Sequence, residues 1–322
     1  MKRLLAVLLV GMICCLCYGQ DSLIVVFWNV ENFFDYTDQG AGESDAEWSS
    51  GGERRWTKKR FQTKCDDIVK SLFWMGERYG KMPDVIGLAE VENRNVLWML
   101  LNNTLLRKCG YKTVHQDSGD RRGIDVALLY KESSFRKISH STVAPSLDGE
   151  KMATRDILQV CLEDGMGQRV NMIVNHHPSK YGGSEVSAGR RDAAMKALRD
   201  MCDSLSAADP GVPVIAMGDF NDTPDGEQFS MLEGVLCNKA DSLFEAGRGT
   251  IRYQGKWDLI DMFLVSESIA DKSFMEILEI PFLMTYEKKY PGIKPLRTYS
   301  GPRYIGGVSD HCPIVLCFFG RY

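Results

Sequence analysis

Eight apolar runs recur along the chain, and they constrain its fold more than any other feature. They are SLIVVFWNV (22–30), PDVIGLAEV (83–91), IDVALLY (124–130), ILQVCLE (157–163), VNMIVNHH (170–177), VPVIAMGDF (212–220), WDLIDMFLVS (257–266) and CPIVLCFF (312–319). Several are continuous rather than alternating, which is the pattern of strands buried on both faces. Helical patterns fall between them at 58–78, 95–108 and 184–207. The last places Ala194, Leu198, Met201 and Leu205 on one face, with Ser184 as the expected N-cap and Asp209-Pro210-Gly211 as the stop. The later strands are not regularly separated by helices. A core of two packed sheets with helices outside is therefore expected, rather than a simple doubly wound sheet. No linker, repeat or low-complexity tract interrupts the pattern, and one domain over 21–322 is expected. The polar Gly/Ser/Asp-rich stretch 37–52 reads as an inserted surface loop.

Residues 1–20 stand apart. Lys2 and Arg3 precede a short apolar run, and Cys17 and Gly19 sit at −3 and −1 if cleavage precedes Gln20. This is the layout of a secretory signal peptide, so a secreted or periplasmic location is expected. The run is short for a membrane span, which needs about 20 apolar residues. A membrane anchor or a lipoprotein is the alternative, but no triplet before Cys14, Cys15 or Cys17 resembles a lipidation box.

The formal charge is −4, and removing Lys2 and Arg3 with the leader takes it to −6. That argues against gripping nucleic acid through a broad basic field, but not against binding phosphate locally with the help of a cation. Seven cysteines lie outside the leader, widely spaced and without a CxxC, so a zinc ribbon is not expected.

Polar residues gather at the ends of the apolar runs. Asn29 and Glu31, Glu90, His176, and Asp219 with Asn221 follow runs; Asp310-His311 precedes the last one. Strand ends that converge are a common way to build a site on a rigid scaffold. Carboxylate and amide oxygens suit a hard divalent cation such as Mg²⁺. HExxH, GxSxG and GxxxxGK[ST] patterns are all missing from the sequence. What remains is attack by water assisted by a metal, with histidine as base or charge stabiliser, which suits a phosphate ester.

Taken singly, these residues have plainer readings. Glu90 reads as a strand-end carboxylate facing water, Asn29 as a turn former, and Asp219-Phe220-Asn221-Asp222 as an Asx turn before Thr-Pro. Asp261 is harder to dismiss. It lies between Ile260 and Met262, where an unpaired carboxylate is costly, and His311 is its natural partner. His176 and His177 are adjacent, so on a strand they point to opposite faces and at most one reaches a site. His115 and His140 have polar neighbours and read as surface residues. Arg54, Arg55, Lys58, Lys59 and Arg60 around Trp56 read either as the solvated start of a helix or as a basic rim for a phosphorylated substrate.

In order along the chain, FWNVENFFD, DVIGLAEVEN, RRGIDVALLY, VNHHPSKYGG, MGDFNDTP, WDLIDMFLVS and SDHCPI together resemble the endonuclease/exonuclease/phosphatase superfamily, in a secreted bacterial type. The resemblance runs from Leu23 to Phe319 and rests most heavily on GDFN followed by SDH. It implies an α/β fold, the DNase-I-like four-layer sandwich of two mixed β-sheets flanked by helices. It implies that Glu90 is a metal ligand, although Ala89 stands where relatives carry Gln, and that Asn29 supports the metal site. Glu31 and Asp310 would lie near the metal. His176 would contact the phosphate and protonate the leaving group. Asp219 would orient or deprotonate the water, and Asn221 would hold a phosphate oxygen. Asp261 would pair with His311, which acts on phosphate or water, so Asp219 and His311 are both candidate bases. The implied cofactor is Mg²⁺, with Mn²⁺ or Ca²⁺ as alternatives. The implied substrate is a phosphodiester, with nucleic acid leading and a phospholipid or sugar phosphate as the alternative. A non-catalytic binding protein on the same fold is the third reading, disfavoured because the site residues are all present. No protein partner is implied, and a monomer is expected.

Overall fold

The computed structural model describes residues 22–40, 42–180 and 183–318. The expected signal peptide lies outside the described residues. Two six-stranded mixed sheets pack face to face. The first contains β1 (Ile24–Phe33), β2 (Val85–Val91), β3 (Tyr111–His115), β4 (Asp125–Lys131), and two strands from the C-terminal part of the chain. The second contains β5 (Phe135–Val143), β6 (Ile157–Asp164), β7 (Arg169–His176), β8 (Val214–Asp219), β9 (Leu236–Asn238) and β10 (Asp261–Ser266). The two late strands of the first sheet are β11 (Ser273–Ile277) and β12 (Ile314–Phe318). The strand orders are β11-β12-β1-β2-β4-β3 and β9-β10-β8-β7-β6-β5.

Each sheet has one parallel pair at its centre, β1 with β2 and β7 with β8, flanked by antiparallel neighbours. The continuous apolar runs follow from this position. Val25 and Phe27 of β1 enter the core between the sheets, while Ile24, Val26 and Trp28 enter a second core under the helices, so both faces are buried. That second core takes Phe61, Ile68 and Leu72 from α1 (Lys58–Tyr79) and Val96 and Leu97 from α2 (Arg94–Asn102). Met195, Leu198 and Met201 of α3 (Ser184–Ala208) cover the outer face of the second sheet.

Several local expectations need correction. Gly183, not Ser184, is the N-cap of α3. The stretch 37–52 is not merely a surface loop: Asp45 and Trp48 are buried, and the Trp48 ring stacks on Phe34 and meets Trp56 and Tyr299 edge-on. Trp56 is itself buried and donates Nε1–H to the Phe34 carbonyl at 2.8 Å. It is therefore not an aromatic on a basic rim, and the residues after it are the start of α1, capped by Thr57. His115 is 3 % exposed rather than a surface residue, whereas His140 is exposed. The seven cysteines among the described residues are all free. Among the described residues no helix is long and apolar enough to cross a membrane.

Candidate active site

The strand directions explain why some site residues end runs and others precede them. Asn29, Glu90, His176 and Asp219 lie at the C-terminal ends of the two parallel pairs. Strands β12 and β10 run antiparallel to β1 and β8, so their beginnings lie beside those ends. His311 and Asp261 are thereby brought to the same edge of the sandwich. In the second sheet, His176, Asp219 and Asp261 occupy one level on three adjacent strands, paired His176 to Asp219 and Asp219 to Asp261.

Side chains then join the sheets. Nδ1 of His311 lies 2.8 Å from Oδ2 of Asp261. Asn29 donates its amide N–H to Oδ2 of Asp219 at 3.0 Å. Nε2 of His176 and Nε2 of His311 face that same oxygen at 3.6 and 3.9 Å. The backbone around His311 is pinned from several sides. Trp28 Nε1–H donates to its carbonyl at 3.0 Å, its own N–H donates to Ser309 Oγ at 2.9 Å, and Ser309 Oγ–H donates to the Asn29 carbonyl at 2.6 Å. Thr250 joins the two strand beginnings, accepting from the Asp261 N–H at its hydroxyl and from the Cys312 N–H at its carbonyl.

Polar residues around this floor sit on strained backbone. Glu31, Glu90 and Asn221 have φ of 49°, 62° and 52°, a left-handed conformation that L-residues seldom adopt and that clusters at functional sites. The register shifts between Asn29 and Phe33 and between Ala89 and Val91 lift Glu31 and Glu90 out of their ladders. Glu90 Oε2 accepts from the Asn32 N–H at 2.7 Å, and Oε1 faces Arg122 across 3.9 Å, outside hydrogen-bonding range. Asn221 donates its backbone N–H to Asp219 Oδ1 at 2.9 Å and its side-chain N–H to the His177 carbonyl at 3.0 Å. Only glycine fits before Asp219, because a Cβ on Gly218 would lie 2.5 Å from the Asn175 carbonyl oxygen.

Sequence reasoning missed the site's cations. Arg297 Nη2 bridges Glu31 Oε1 at 2.8 Å and Asp310 Oδ2 at 3.1 Å. Lys64 of α1 is buried, donating to the Glu31 carbonyl and, at 2.9 Å, to Thr298 Oγ1. The signal for Lys64 was its place on the apolar stripe of α1, three residues after Phe61 and four before Ile68. Arg155 is buried beneath the histidines and donates to the carbonyls of His176 and His177 at 3.2 and 2.5 Å. Arg155 and Arg297 lie in stretches with no pattern to mark them. His177 points away from the site and packs edge-on against Phe220.

Burial and charge set the protonation states. Burial works against a charge on His311, but the hydrogen-bonded Asp261 with Asp219 and Asp310 overcomes it and holds the imidazole well above its ordinary range. Burial, then Asp261, pushes Asp219 up to about 7, against the pull of His311 and Asn29. Burial, then Arg155 and Arg122, holds His176 well below its ordinary range, so its ring is neutral. Burial and Asp310 raise Glu31 to about 7, against Arg297 and Lys64.

The donors at the mouth suit a hard divalent cation. Glu90 and Asp310 present carboxylate oxygens and are partly exposed, at 13 % and 28 % of their side chains. Asn29 is instead committed to Asp219, and Glu31 to Arg297 and the Thr298 N–H. Asp219, Asp261 and His311 form the enclosed acid–base floor below them.

No curated protein matches the chain in sequence. Solved structures match its fold. The human Nocturnin catalytic domain with bound sulfate superposes with a TM-score of 0.59 at 16% identity, over 94% of this chain and 96% of that one. A mannosyl-6-phosphatase of Bacteroides thetaiotaomicron gives 0.58 at 15%, over 91% and 98%. D. rerio TDP2 complexed with a single-strand DNA product gives 0.55 at 16%, over 93% and 99%. At these identities the likeness is one of fold. The model of the Endonuclease/Exonuclease/phosphatase family matches residues 24–319, nearly the whole chain. The chain therefore belongs to the endonuclease/exonuclease/phosphatase family and is a hydrolase of phosphoric esters.

Proposed function

We propose that the chain is a divalent-metal-dependent phosphodiesterase with nucleic acid as its substrate class. The observation that carries the reading is the enclosed Asp219, flanked by neutral His176 and cationic His311, with the Asp310 carboxylate 3.9 Å from the His311 ring. His311 holds its proton at neutral pH, which leaves Asp219 as the base. Poised near 7, Asp219 accepts the proton of the attacking water at Oδ2. As the bond from phosphorus to the leaving oxygen breaks, His311 donates its Nε2–H to that oxygen so that it departs as a hydroxyl, while Asp261 fixes the ring through Nδ1. His176, held neutral, is not the acid; its Nε2 faces Asp219 at 3.6 Å and adds a polar wall beside the base. Asn221 contributes its remaining amide N–H to a phosphate oxygen. Mg²⁺, Mn²⁺ or Ca²⁺ held by Glu90 and Asp310 supplies Lewis-acid polarisation and offsets developing negative charge.

Two facts support nucleic acid. Arg122, Lys180 and Arg297 are partly exposed cations near the site, suited to neighbouring phosphates, and the fold-mate TDP2 carries a DNA product. One observation favours a lipid instead: Tyr286 and Ile293 face each other across the hairpin of 284–295, both more than half exposed. The leader expected at 1–20 supports export, with 21–322 acting as one domain and no protein partner needed. The test is hydrolysis by the purified chain of plasmid DNA, RNA, a bis-aryl phosphodiester, an aryl phosphomonoester, a sugar phosphate and sphingomyelin, with each metal. Metal-dependent cleavage of DNA or RNA is expected. Turnover confined to the monoesters or to sphingomyelin overturns the substrate assignment, and no turnover at all overturns the enzyme reading.

A further inference from the structure

A second group of ionisable residues lies outside the phosphoester site. His115 closes β3 and Asp125 opens β4, on either side of the hairpin 116–124. Nε2 of His115 faces Oδ2 of Asp125 at 3.2 Å. Oδ1 of Asp125 accepts from the backbone N–H of Ser118 at 2.9 Å and from its hydroxyl. With Asp125 ionised, Nε2 carries the ring proton and Nδ1 keeps a bare lone pair. That nitrogen is enclosed and has no hydrogen-bond partner, and the His115 side chain is 1 % exposed. A buried acceptor left unmet is costly.

Nδ1 faces Oδ1 of Asp117 at 3.9 Å. The gap is too long for a hydrogen bond, and a bare imidazole nitrogen and a carboxylate oxygen are both acceptors. An ion bonded to a histidine nitrogen and a carboxylate oxygen at about 2.0–2.2 Å from each holds them roughly 3–4 Å apart. One atom from each of His115, Asp117 and Asp125 lies within 4.8 Å of the other two. The order carboxylate, imidazole, open nitrogen is the arrangement by which an outer carboxylate orients a metal-ligating histidine. Asp117 is exposed, and with Ser118 and Asp125 it lines a cleft of about 450 Å³. Arg94, which lines the same cleft, donates to the His115 carbonyl.

We propose that His115 Nδ1 and Asp117 hold a divalent first-row transition ion such as Zn²⁺, with Asp125 fixing the ring behind and water completing the shell. The imidazole donor favours such an ion over Mg²⁺. The ion braces the hairpin whose Asp120 pairs with Arg155 at 3.1 Å and whose Arg122 faces Glu90, so it stiffens one wall of the phosphoester site without belonging to it.

The test uses Co²⁺ as the probe, in equilibrium dialysis and visible absorption of the full chain carrying Glu90→Gln and Asp310→Asn. Those changes remove the two donors at the mouth of the phosphoester site, and a third change, Asp219→Asn, breaks the remaining Asp219, Asp261 and His311 group. One equivalent of Co²⁺ is expected, with ligand-field bands and no thiolate charge-transfer band. Asp117→Ala and His115→Gln should each weaken binding at least tenfold, and Asp125→Asn by about 10–100-fold. Asp117 is exposed, so its replacement leaves folding intact, as far-UV circular dichroism checks. No stoichiometric Co²⁺, or binding that survives both Asp117→Ala and His115→Gln, overturns the proposal.

Discussion

His311 and Asp261 are fifty residues apart in the chain and 2.8 Å apart in space, and their hydrogen bond crosses from one sheet of the sandwich to the other. The imidazole depends on that carboxylate for both its orientation and its charge, since burial alone would strip its proton. Asp261→Asn keeps the shape and removes the charge. The expected result is a fall in kcat of about 10²–10⁴-fold with little change in KM. The alkaline limb of the pH–rate profile should move to lower pH. Steady-state kinetics across pH check this, and an unmoved limb would count against the role given to His311.

The acid limb reports Asp219. Its folded-state pKa is raised to about 7, so the base is progressively protonated as pH falls through that value. With excess metal, kcat/KM should drop about tenfold per pH unit below the limb. Asp219→Asn should abolish turnover, and because its single amide oxygen can accept from only one of the Asn221 N–H and the Asn29 amide, the thermal transition should fall by a few degrees, the cost of one lost buried hydrogen bond.

These residues were legible in part. The buried strands announced themselves as apolar runs, and the acid–base residues stood out because carboxylates and histidines are rare at the ends of such runs. Asp261 was legible as a carboxylate needing a partner. The antiparallel placement of β10 and β12, which brings run beginnings beside run ends, is a matter of topology and left no local trace. The cations were harder still. Arg297 reaches Glu31 and Asp310 from a patternless segment, and Lys64 was hidden in plain view on a helix face where charge is not expected. His115 misled because polar sequence neighbours suggest exposure, whereas the hairpin encloses its ring against Asp125.

Two adjacent histidines make the fold sensitive to acid. His177 has a folded pKa of about 3, held down by burial, then Arg155 and Arg191, and His176 is depressed in the same direction. Below pH 6.5 the unfolded chain takes up protons that the folded chain refuses, so stability falls with pH from about 6.5 toward 3. Each histidine contributes a slope of about 1.4 kcal/mol per pH unit in that window. Asp219 and Glu31, raised to about 7, take up protons in the folded state over the same range and oppose this loss, so urea unfolding midpoints from pH 7 to pH 4, compared between parent and variant, read the histidine slope against that background. His177→Phe, which suits the contact with Phe220, should flatten it.

Arg297 offers the sharpest handle on metal binding. Its guanidinium sits between Glu31 and Asp310, and so neutralises oxygen donors that would otherwise attract a divalent ion. In Arg297→Ala the two carboxylates face each other without a counter-charge, and a cation is the nearest remedy. Mg²⁺ should therefore bind the variant about 3–10-fold more tightly than the parent, a gain of about 0.6–1.4 kcal/mol of coupling across partly solvated distances. Turnover should fall, because the same guanidinium faces the mouth where phosphate charge arrives. Titration calorimetry of Mg²⁺ against both proteins separates these effects. Weaker Mg²⁺ binding in the variant would mean that Arg297 organises the donors rather than competing for them.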